Sequence, residues 1–373
     1  METSVATKRF ESLDALRGVA IFSVMLLHFG ERGIASGDSV VHGRIWPLLQ
    51  HGYLGVQLFF VISGYCITAA LYSSRSKEQA FRYFVVRRLR RVFPPYWASL
   101  AFVLGLGLAT IFILKTPSEV VFPLSPFDWL CNLLLVQEPF HATNANLVYW
   151  SLSIEIQFYL VIAVSLLFPR LIEQWLLLVT AIWLFTEWSG RISTNGTVLA
   201  FWPQFLTGIV AYYFITGKPE SRGTAWLLLA AVLAPSMYQS AMSETLVVGN
   251  GHLIHPLKNL FCLVCLLILI GVHRMDAQVN RMPISRAFAF LGVMSYSLYL
   301  THVPIGTRVF NGAERLADLQ GISWLVCMIF SLILSFVLGY FFYRIFECPW
   351  LNSGSGQSLT GRLSGPRVDS LKK

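Results

Sequence analysis

The segment LDALRGVAIFSVMLLHFG, residues 13–30, carries an arginine and a histidine at opposite ends of an apolar run. Arg17 and His28 are eleven positions apart. At ~100° per residue, this spacing returns His28 to within about 20° of the helix face of Arg17, ~16 Å further along the axis. Ionisable groups at membrane depth are costly, so they usually face a bundle interior and mark a functional site. Alternatively, both residues have only a structural role. Arg17 would then lie at the cytoplasmic edge of the membrane, and His28 would form a hydrogen bond with a neighbouring helix.

The composition is that of a membrane protein. Of 373 residues, 55% are hydrophobic and only 13% are charged, with a mean hydropathy of +0.61. Because soluble domains contain about 25% charged residues, we predict an all-α polytopic membrane protein with about ten transmembrane helices. The predicted spans are residues 17–30, 53–72, 96–114, 146–168, 171–186, 197–215, 224–240, 257–272, 287–305 and 321–343.

The distribution of basic residues predicts the orientation of these spans. With the N-terminus in the cytoplasm, the inner segments carry 21 of the 28 Lys and Arg residues and the outer segments carry 7. This bias follows the positive-inside rule and places both termini in the cytoplasm. The net charge of +9 is then explained by topology and by contact with anionic membrane lipids, so no nucleic-acid partner is expected.

The domain organisation is simple. We predict one integral membrane domain over residues 1–350 and a disordered cytoplasmic tail, rich in Ser, Gly and basic residues, over residues 351–373. The longest outer loop contains PFDWLCNLLLVQEPF, residues 126–140, which is too short to span and is interpreted as an interfacial or re-entrant segment.

Neither a metal site nor a permanently bound cofactor is predicted. Cys262 and Cys265 have C-x-x-C spacing, but the surrounding FCLVCLLIL contains no second pair of ligands. A haem or quinone protein ligated by His28 and His302 would need paired histidines at matching depth. Six of the eight histidines instead lie in or near loops or helix ends.

A basic cluster follows the second predicted helix. The stretch RYFVVRRLRRVFPPYW, residues 82–97, carries four arginines just before Pro94 and Pro95, which we expect to set the start of the next helix. Such arginines can bind phosphates bidentately. They can equally act as a topology anchor that binds anionic headgroups. The four arginines are Arg87, Arg88, Arg90 and Arg91.

Other polar residues interrupt apolar spans. Ser63 lies in GYLGVQLFFVISGY, residues 52–65, whose glycines allow either close helix contact or a ligand beside the backbone. Glu155 lies in YWSLSIEIQFYL, residues 149–160, where a buried carboxylate needs a cation or a hydrogen-bond donor. His302 lies in SYSLYLTHVPI, residues 295–305, and Glu347 in RIFECPW, residues 344–350, within possible reach of the basic cluster.

Together these motifs resemble the acyltransferase-3 family of integral membrane acyltransferases. The resemblance rests on the Arg17–His28 spacing, the G-x-x-G-V-x-x-F-F-x-x-S-G helix, and the R-R-x-x-R loop before P-x-Y. It extends to WSLSIEIQFY, SYSLYLTHVP and the closing FECP. The motifs occur in order from residue 10 to about residue 350 and so cover nearly the whole chain.

The resemblance implies a roughly ten-helix enzyme of the bacterial cytoplasmic membrane. Such an enzyme transfers an acyl group, often acetyl, from cytoplasmic acyl-coenzyme A to a sugar hydroxyl of a surface polysaccharide or lipid-linked glycan. By position, Arg17 and His28 correspond to the first-helix pair of the family and Glu347 to its Glu-x-Pro, and these three are the predicted catalytic residues. The basic motif, expected to bind the donor, corresponds to Arg87, Arg88 and Arg91.

The expected chemistry centres on His28. A sugar hydroxyl is a poor nucleophile, so His28 is expected to act as a general base or to carry the acyl group itself. Asp14, one turn before Arg17, is expected to hold that arginine. Ser63, Glu155 and His302 are predicted to contact substrate or to support the bundle. The rival interpretation is a transporter of an acylated or sugar-bearing substrate, but no inverted repeat supports it.

The predicted topology can be tested by cysteine accessibility. A cysteine introduced at Ser118, in the predicted outer loop, should react with a membrane-impermeant thiol reagent in intact cells. The charge bias is the physical reason, because moving a basic segment outward is unfavourable. Reaction only after cell lysis would reverse the orientation.

Overall fold

The computed structural model describes residues 10–35, 45–112, 125–189, 192–217, 221–242, 255–315 and 324–352. The predicted tail lies outside the described residues beyond residue 352, as does the outer segment 36–44. Throughout the described part the secondary structure is helical, without strands. The helices are α1 (Ser12–Ala35), α2 (Trp46–Leu49), α3 (Leu54–Ser74), α4 (Ala80–Phe112), α5 (Pro126–Leu134), α6 (Tyr149–Val164), α7 (Ile172–Ser189), α8 (Trp202–Thr216), α9 (Arg222–Met242), α10 (His255–Arg274), α11 (Asp276–Val279), α12 (Pro283–Val293), α13 (Ser295–Arg315), α14 (Trp324–Phe342) and α15 (Cys348–Asn352).

Seven helical segments in the described residues are long and apolar enough to cross a membrane, and a bent pair makes an eighth. Two shorter apolar helices, Arg222–Ala234 and Leu260–Arg274, lie where the seventh and eighth spans are predicted. The all-α membrane class is therefore confirmed, whereas the predicted count of ten is not reached by helix length and hydropathy. The seven long segments are Ser12–Arg32, Trp46–Ser74, Ala80–Phe112, Tyr149–Leu167, Pro169–Ser189, Val198–Thr216 and Trp324–Leu351.

Glycines bring the central helices into backbone contact. A Cβ atom at Gly64 of α3 would lie 2.1 Å from the carbonyl oxygen of Phe205 in α8, and one at Gly208 would lie 2.0 Å from the carbonyl oxygen of Val61. Only glycine allows this approach, which is how membrane helices gain packing energy without a hydrophobic driving force. The glycines of the second predicted span therefore serve helix packing.

The third predicted span begins earlier than expected. We predicted that Pro94 and Pro95 set its start, but α4 runs without a break from Ala80 through both prolines to Phe112. Membrane helices tolerate proline because neighbouring groups can satisfy the freed backbone atoms. Close to the prolines, the Tyr296 hydroxyl of α13 donates to the Val92 carbonyl at 2.9 Å and joins α13 to α4. The basic cluster is thus part of a rigid transmembrane helix.

The ninth predicted span, residues 287–305, is not one straight helix. Helices α12 and α13 meet at Met294 with a bend of 75°. Gly292, just before the bend, packs so tightly on α1 that a Cβ atom there would lie 1.7 Å from the Asp14 carbonyl oxygen. The bend fixes α12 against α1 and gives α13 a new N-terminus inside the bundle.

The short helix α5 covers the bundle without spanning it. Its Cys131 and Asn132 are buried, while its apolar residues Phe127, Leu130 and Leu133 are exposed. The Asn132 side chain donates to the carbonyl of Thr143 at 2.7 Å and so ties α5 to the following loop. At nine residues, α5 has the amphipathic character predicted for an interfacial segment.

Candidate active site

Two adjacent cavities lie at the arginine-rich end of the bundle. The central cavity encloses about 810 Å³ of empty space, mouth included, between α1, α3, α4, α6 and α13. The arginine cavity encloses about 1180 Å³ beside α4 and α15. Both are lined by Arg88 and Arg91, so these two side chains form the junction between them.

The predicted donor-binding arginines divide between these cavities. Arg88 and Arg91 are three residues apart on α4 and share a helix face. Arg87 lines only the arginine cavity, where it donates to the Tyr83 hydroxyl at 2.9 Å. The Arg88 guanidinium lies over the Phe84 ring at 5.7 Å from the centroid. These contacts fix the guanidinium groups along one continuous basic path.

Arg17 faces the central cavity from α1. Its Nη1 atom lies 3.3 Å from Asp14 Oδ1, and its Nη2 atom lies 3.4 Å from Cys66 Sγ on α3. Both members of this ion pair are largely shielded from solvent, with exposed side-chain fractions of 21% and 17%. The one-turn spacing of Asp14 and Arg17 thus produces the expected contact.

Glu155 faces the same cavity from α6. One of its carboxylate oxygens, Oε1, accepts hydrogen bonds from the Ser63 and Tyr159 hydroxyls, each at 2.6 Å. Because Arg17, Arg88 and Arg91 also line this cavity, the carboxylate offsets part of their positive charge. Ser63 therefore joins α3 to α6 through a polar contact inside the bundle.

A histidine pair lies towards the other end of α1. His28 Nδ1 and His302 Nε2 are 2.9 Å apart, and the two rings stack with their centroids 5.1 Å apart. His302 Nδ1 lies 2.9 Å from the Leu298 carbonyl oxygen. A carbonyl only accepts, so the neutral His302 holds its proton on Nδ1 and accepts through Nε2. His28 then donates through Nδ1, and its Nε2 keeps a free lone pair.

The histidine cavity is separate from the two arginine-lined cavities. It encloses about 640 Å³, and its wall includes His28, Glu31, Arg32 and Thr307. Arg32 Nη2 donates to the Thr307 hydroxyl at 3.1 Å, which joins α1 to α13 at the rim. Although Arg17 and His28 lie on one helix, the structure therefore assigns them to different cavities.

The histidine pair also bears on the interpretation of the chain as a haem or quinone protein. His28 and His302 do lie at matching depth, unlike the distribution inferred from the sequence. Their nitrogen atoms bond directly to each other, which leaves no space for a metal ion between them. Across the described residues, no group of three or more His, Cys, Asp or Glu side chains could hold a metal ion.

Glu347 lies within electrostatic reach of the basic cluster, as expected, because Arg91 and also Arg17 act on its carboxylate. Its direct hydrogen-bond partner is a residue that was not expected: Glu347 Oε2 accepts from the backbone N–H of Ser297 at 3.2 Å and from its hydroxyl at 2.5 Å. The π-helical turn Tyr343–Glu347 directs the side chain inward. Ser297 is in the first turn of α13, whose N–H groups have no partner within their own helix. Glu347 therefore caps α13, and it lines none of the three cavities described above.

Comparison with known proteins agrees with the motifs. The acyltransferase-3 family, described as an acyltransferase domain, matches residues 10–344. The chain belongs to this family. No solved structure matches it.

Curated relatives of this chain give further context. The O-acetyltransferase OatA of Staphylococcus aureus is 26% identical over an alignment 393 residues long. The alignment covers 95% of this chain and 59% of OatA. BcsY of Komagataeibacter xylinus, provisionally named a membrane-bound transacylase, is 27% identical over 318 residues, covering 79% of this chain and 72% of BcsY. The chain thus spans less than two thirds of the length of OatA.

Sequence reasoning missed several residues of this acyltransferase-3 site. Cys66 and Ser151 line the central cavity, and Ser297 holds Glu347. Ser151 and Ser297 are hydroxyl residues inside the quoted apolar motifs. Their polarity in an apolar segment was the feature of the sequence that could have identified them as site residues. Nothing in the sequence indicated that Cys66 would contact Arg17.

The capping role of Glu347 predicts the effect of Glu347→Gln. The amide keeps the shape of the side chain but loses the charge that favours a helix N-terminus, so the free energy of unfolding should fall by about 1–2 kcal/mol. Thermal unfolding in detergent measures this change, with the exposed Glu11→Gln as the matched control. If Glu347 only caps α13, the Glu347→Gln protein that remains folded should retain some acyl transfer. Complete loss of transfer with unchanged stability would instead make Glu347 catalytic.

Proposed function

We propose that this chain is a membrane O-acyltransferase that moves an acyl group, most simply acetyl, from acyl-coenzyme A to a sugar hydroxyl. The proposal joins the arginine-lined path at one end of the bundle to the His28–His302 pair near the other. The name of OatA, an O-acetyltransferase, supports acetyl as the group transferred. The single observation that carries the proposal is the 2.9 Å contact of His28 Nδ1 with His302 Nε2 beside a cavity that His28 lines. This contact uses Nδ1 and leaves Nε2 of His28 as the nitrogen that can act as a base.

The donor would bind from the arginine cavity. Coenzyme A carries several phosphate groups on its nucleotide and a long, nearly uncharged pantetheine arm. Guanidinium groups match phosphates with two parallel hydrogen bonds, so Arg87, Arg88 and Arg91 suit the nucleotide end. The central cavity beyond Arg88 and Arg91 is lined mainly by apolar and hydroxyl side chains and suits the arm. Arg17 and Glu155 are the charged groups that the thioester end would meet there.

The positive-inside rule orients this path. It puts the basic cluster of α4 in the cytoplasm, where acyl-coenzyme A is made, and the histidine cavity on the outer side. The acceptor sugar would then approach His28 from outside. Glu31, Arg32 and Thr307 at the rim provide the acceptors and donors that bind sugar hydroxyls.

The chemical step follows from the assigned proton positions. His28 Nε2 takes the proton of the acceptor hydroxyl while the oxygen attacks the acyl carbon. The new carbon–oxygen bond replaces the carbon–sulfur bond, and the proton passes from His28 to the departing thiolate. His302 keeps its own proton on Nδ1, which donates to the Leu298 carbonyl, and its Nε2 orients His28 through the 2.9 Å contact. The same lone pair also permits His28 to carry the acyl group first, as an acyl-imidazole.

The donor site predicts that charge alone is insufficient at the junction. Arg88→Lys and Arg91→Lys keep the positive charge but lose the planar fork, so each should weaken acyl-coenzyme A binding by about tenfold, roughly 1.4 kcal/mol. Binding of acetyl-coenzyme A to the purified protein measures this change. Arg75→Lys, outside both arginine-lined cavities, is the matched control. Full affinity in both junction variants would make the cluster a topology anchor.

The catalytic assignment predicts that His28→Ala loses transfer but not donor binding. Positioned base catalysis contributes roughly 10²–10⁴-fold, so the rate should fall by that factor while acetyl-coenzyme A affinity stays within about twofold. His51→Ala, an exposed histidine outside the three cavities, should behave as wild type. Transfer by His28→Ala within a few-fold of wild type would make His28 a packing residue. A transporter would instead move substrate in liposomes without releasing free coenzyme A.

A further inference from the structure

The central cavity and the histidine cavity lie close together but share no lining residue among those described. Between them stands Tyr299 of α13. Its ring lines the central cavity, and its centroid lies 5.9 Å from that of His302. His302 in turn bonds His28, which faces the histidine cavity. The Tyr299 ring and the buried His302 behind it therefore separate the central cavity from His28 at this point.

Hydrogen bonds hold the Tyr299 ring by its hydroxyl end. The Tyr299 and Ser151 hydroxyls are 2.6 Å apart, and the Tyr299 hydroxyl also donates to the Val148 carbonyl at 3.1 Å. Both partners belong to the start of α6 or the residue before it, so the ring bridges α13 to α6. On its other side the Phe59 ring meets it edge-on, with centroids 6.1 Å apart. The ring is thus held across the gap by contacts that must break before it can move.

We infer that Tyr299 is a partition that excludes water from the donor thioester and that the acyl end of the donor displaces it. The chemical role of this partition rests on the function proposed above. Water in the histidine cavity would otherwise react as the acceptor does: its oxygen would attack the acyl carbon, the carbon–sulfur bond would break, and its proton would pass through His28 to the thiolate. The acyl group itself takes the place of the ring. The passage between the central cavity and the histidine cavity is therefore open only while the acyl group occupies it. Tyr299 then limits the contact between the thioester and this water to the time when the acyl group fills the passage.

A tyrosine that serves only packing would behave differently. Its removal would enlarge the central cavity but would not connect that cavity to the other side. The two interpretations differ in whether a solute from the histidine side reaches the central cavity. The chain provides a probe for this question, because the thiol of Cys66 lines the central cavity and is not disulfide-bonded.

The decisive experiment measures modification of Cys66 in proteoliposomes of known orientation. A small anionic methanethiosulfonate that does not cross membranes is added on the histidine-cavity side, and the peptide containing Cys66 is quantified by mass spectrometry. In Tyr299→Ala the labelling rate should rise by at least about tenfold over wild type, because the excluded path is open. Cys66→Ser removes the signal. Val92→Ala, which enlarges the central cavity on its α4 wall, should leave labelling from this side unchanged.

Two further measurements make the outcome decisive. Tyr299→Leu replaces the ring with a smaller apolar side chain and serves if the alanine variant does not fold, while Tyr299→Phe retains the ring and should remain closed. Labelling within about twofold of wild type in both folded ring-deleted variants would overturn the partition.

Hydrolysis of acetyl-coenzyme A without acceptor separates this proposal from the proposed function. In the ring-deleted variants hydrolysis should rise by at least about tenfold. Increased labelling without increased hydrolysis would leave the partition established and contradict the proposed donor.

Discussion

Backbone amide groups exposed inside the bundle are the constraint on which the site depends. Neither water nor lipid satisfies them there, and each unpaired group costs several kcal/mol. The bend at Met294 creates such groups at the start of α13, and Glu347, in the π-helical turn that follows α14, satisfies the N–H of Ser297. Similarly, Asp276 Oδ1 accepts from the N–H of Ser12 at the start of α1 at 2.9 Å. The two helices that carry the histidine pair are thus each fixed by a carboxylate from elsewhere in the chain.

Charge compensation is the second determinant of the site. Three guanidinium groups and one carboxylate face the central cavity, so the cavity retains a positive charge that favours an anionic ligand. The Asp14 contact fixes Arg17 on α1, and the hydroxyls of Ser63 and Tyr159 fix Glu155. Positive charge is therefore concentrated at one end of the bundle, while the histidines at the other end face each other and a carbonyl group. This polarity along α1 is what makes a two-sided transfer reaction chemically reasonable.

Many of the candidate site residues could be predicted from the sequence because they are ionisable residues within apolar segments. Arg17, His28, Glu155 and Glu347 are ionisable groups in apolar segments, and such groups need a reason to be there. The role of Glu347 could not be predicted, since its partner Ser297 is fifty residues away and becomes available only through the bend. The predicted start of the third span was wrong for a related reason. Proline terminates a helix less effectively inside a packed membrane bundle than in water.

The sequence by itself determined the all-α membrane class, the approximate positions of the spans, the predicted orientation and the set of chemically unusual residues. These properties depend on composition, charge bias and local spacing, which act along the chain. Only the tertiary structure decided that Arg17 and His28 face different cavities, that His28 pairs with His302, and that Tyr299 stands between the cavities. These arrangements depend on how α1, α6 and α13 pack side by side, and contacts between helices more than a hundred residues apart leave no periodic signal in a single sequence.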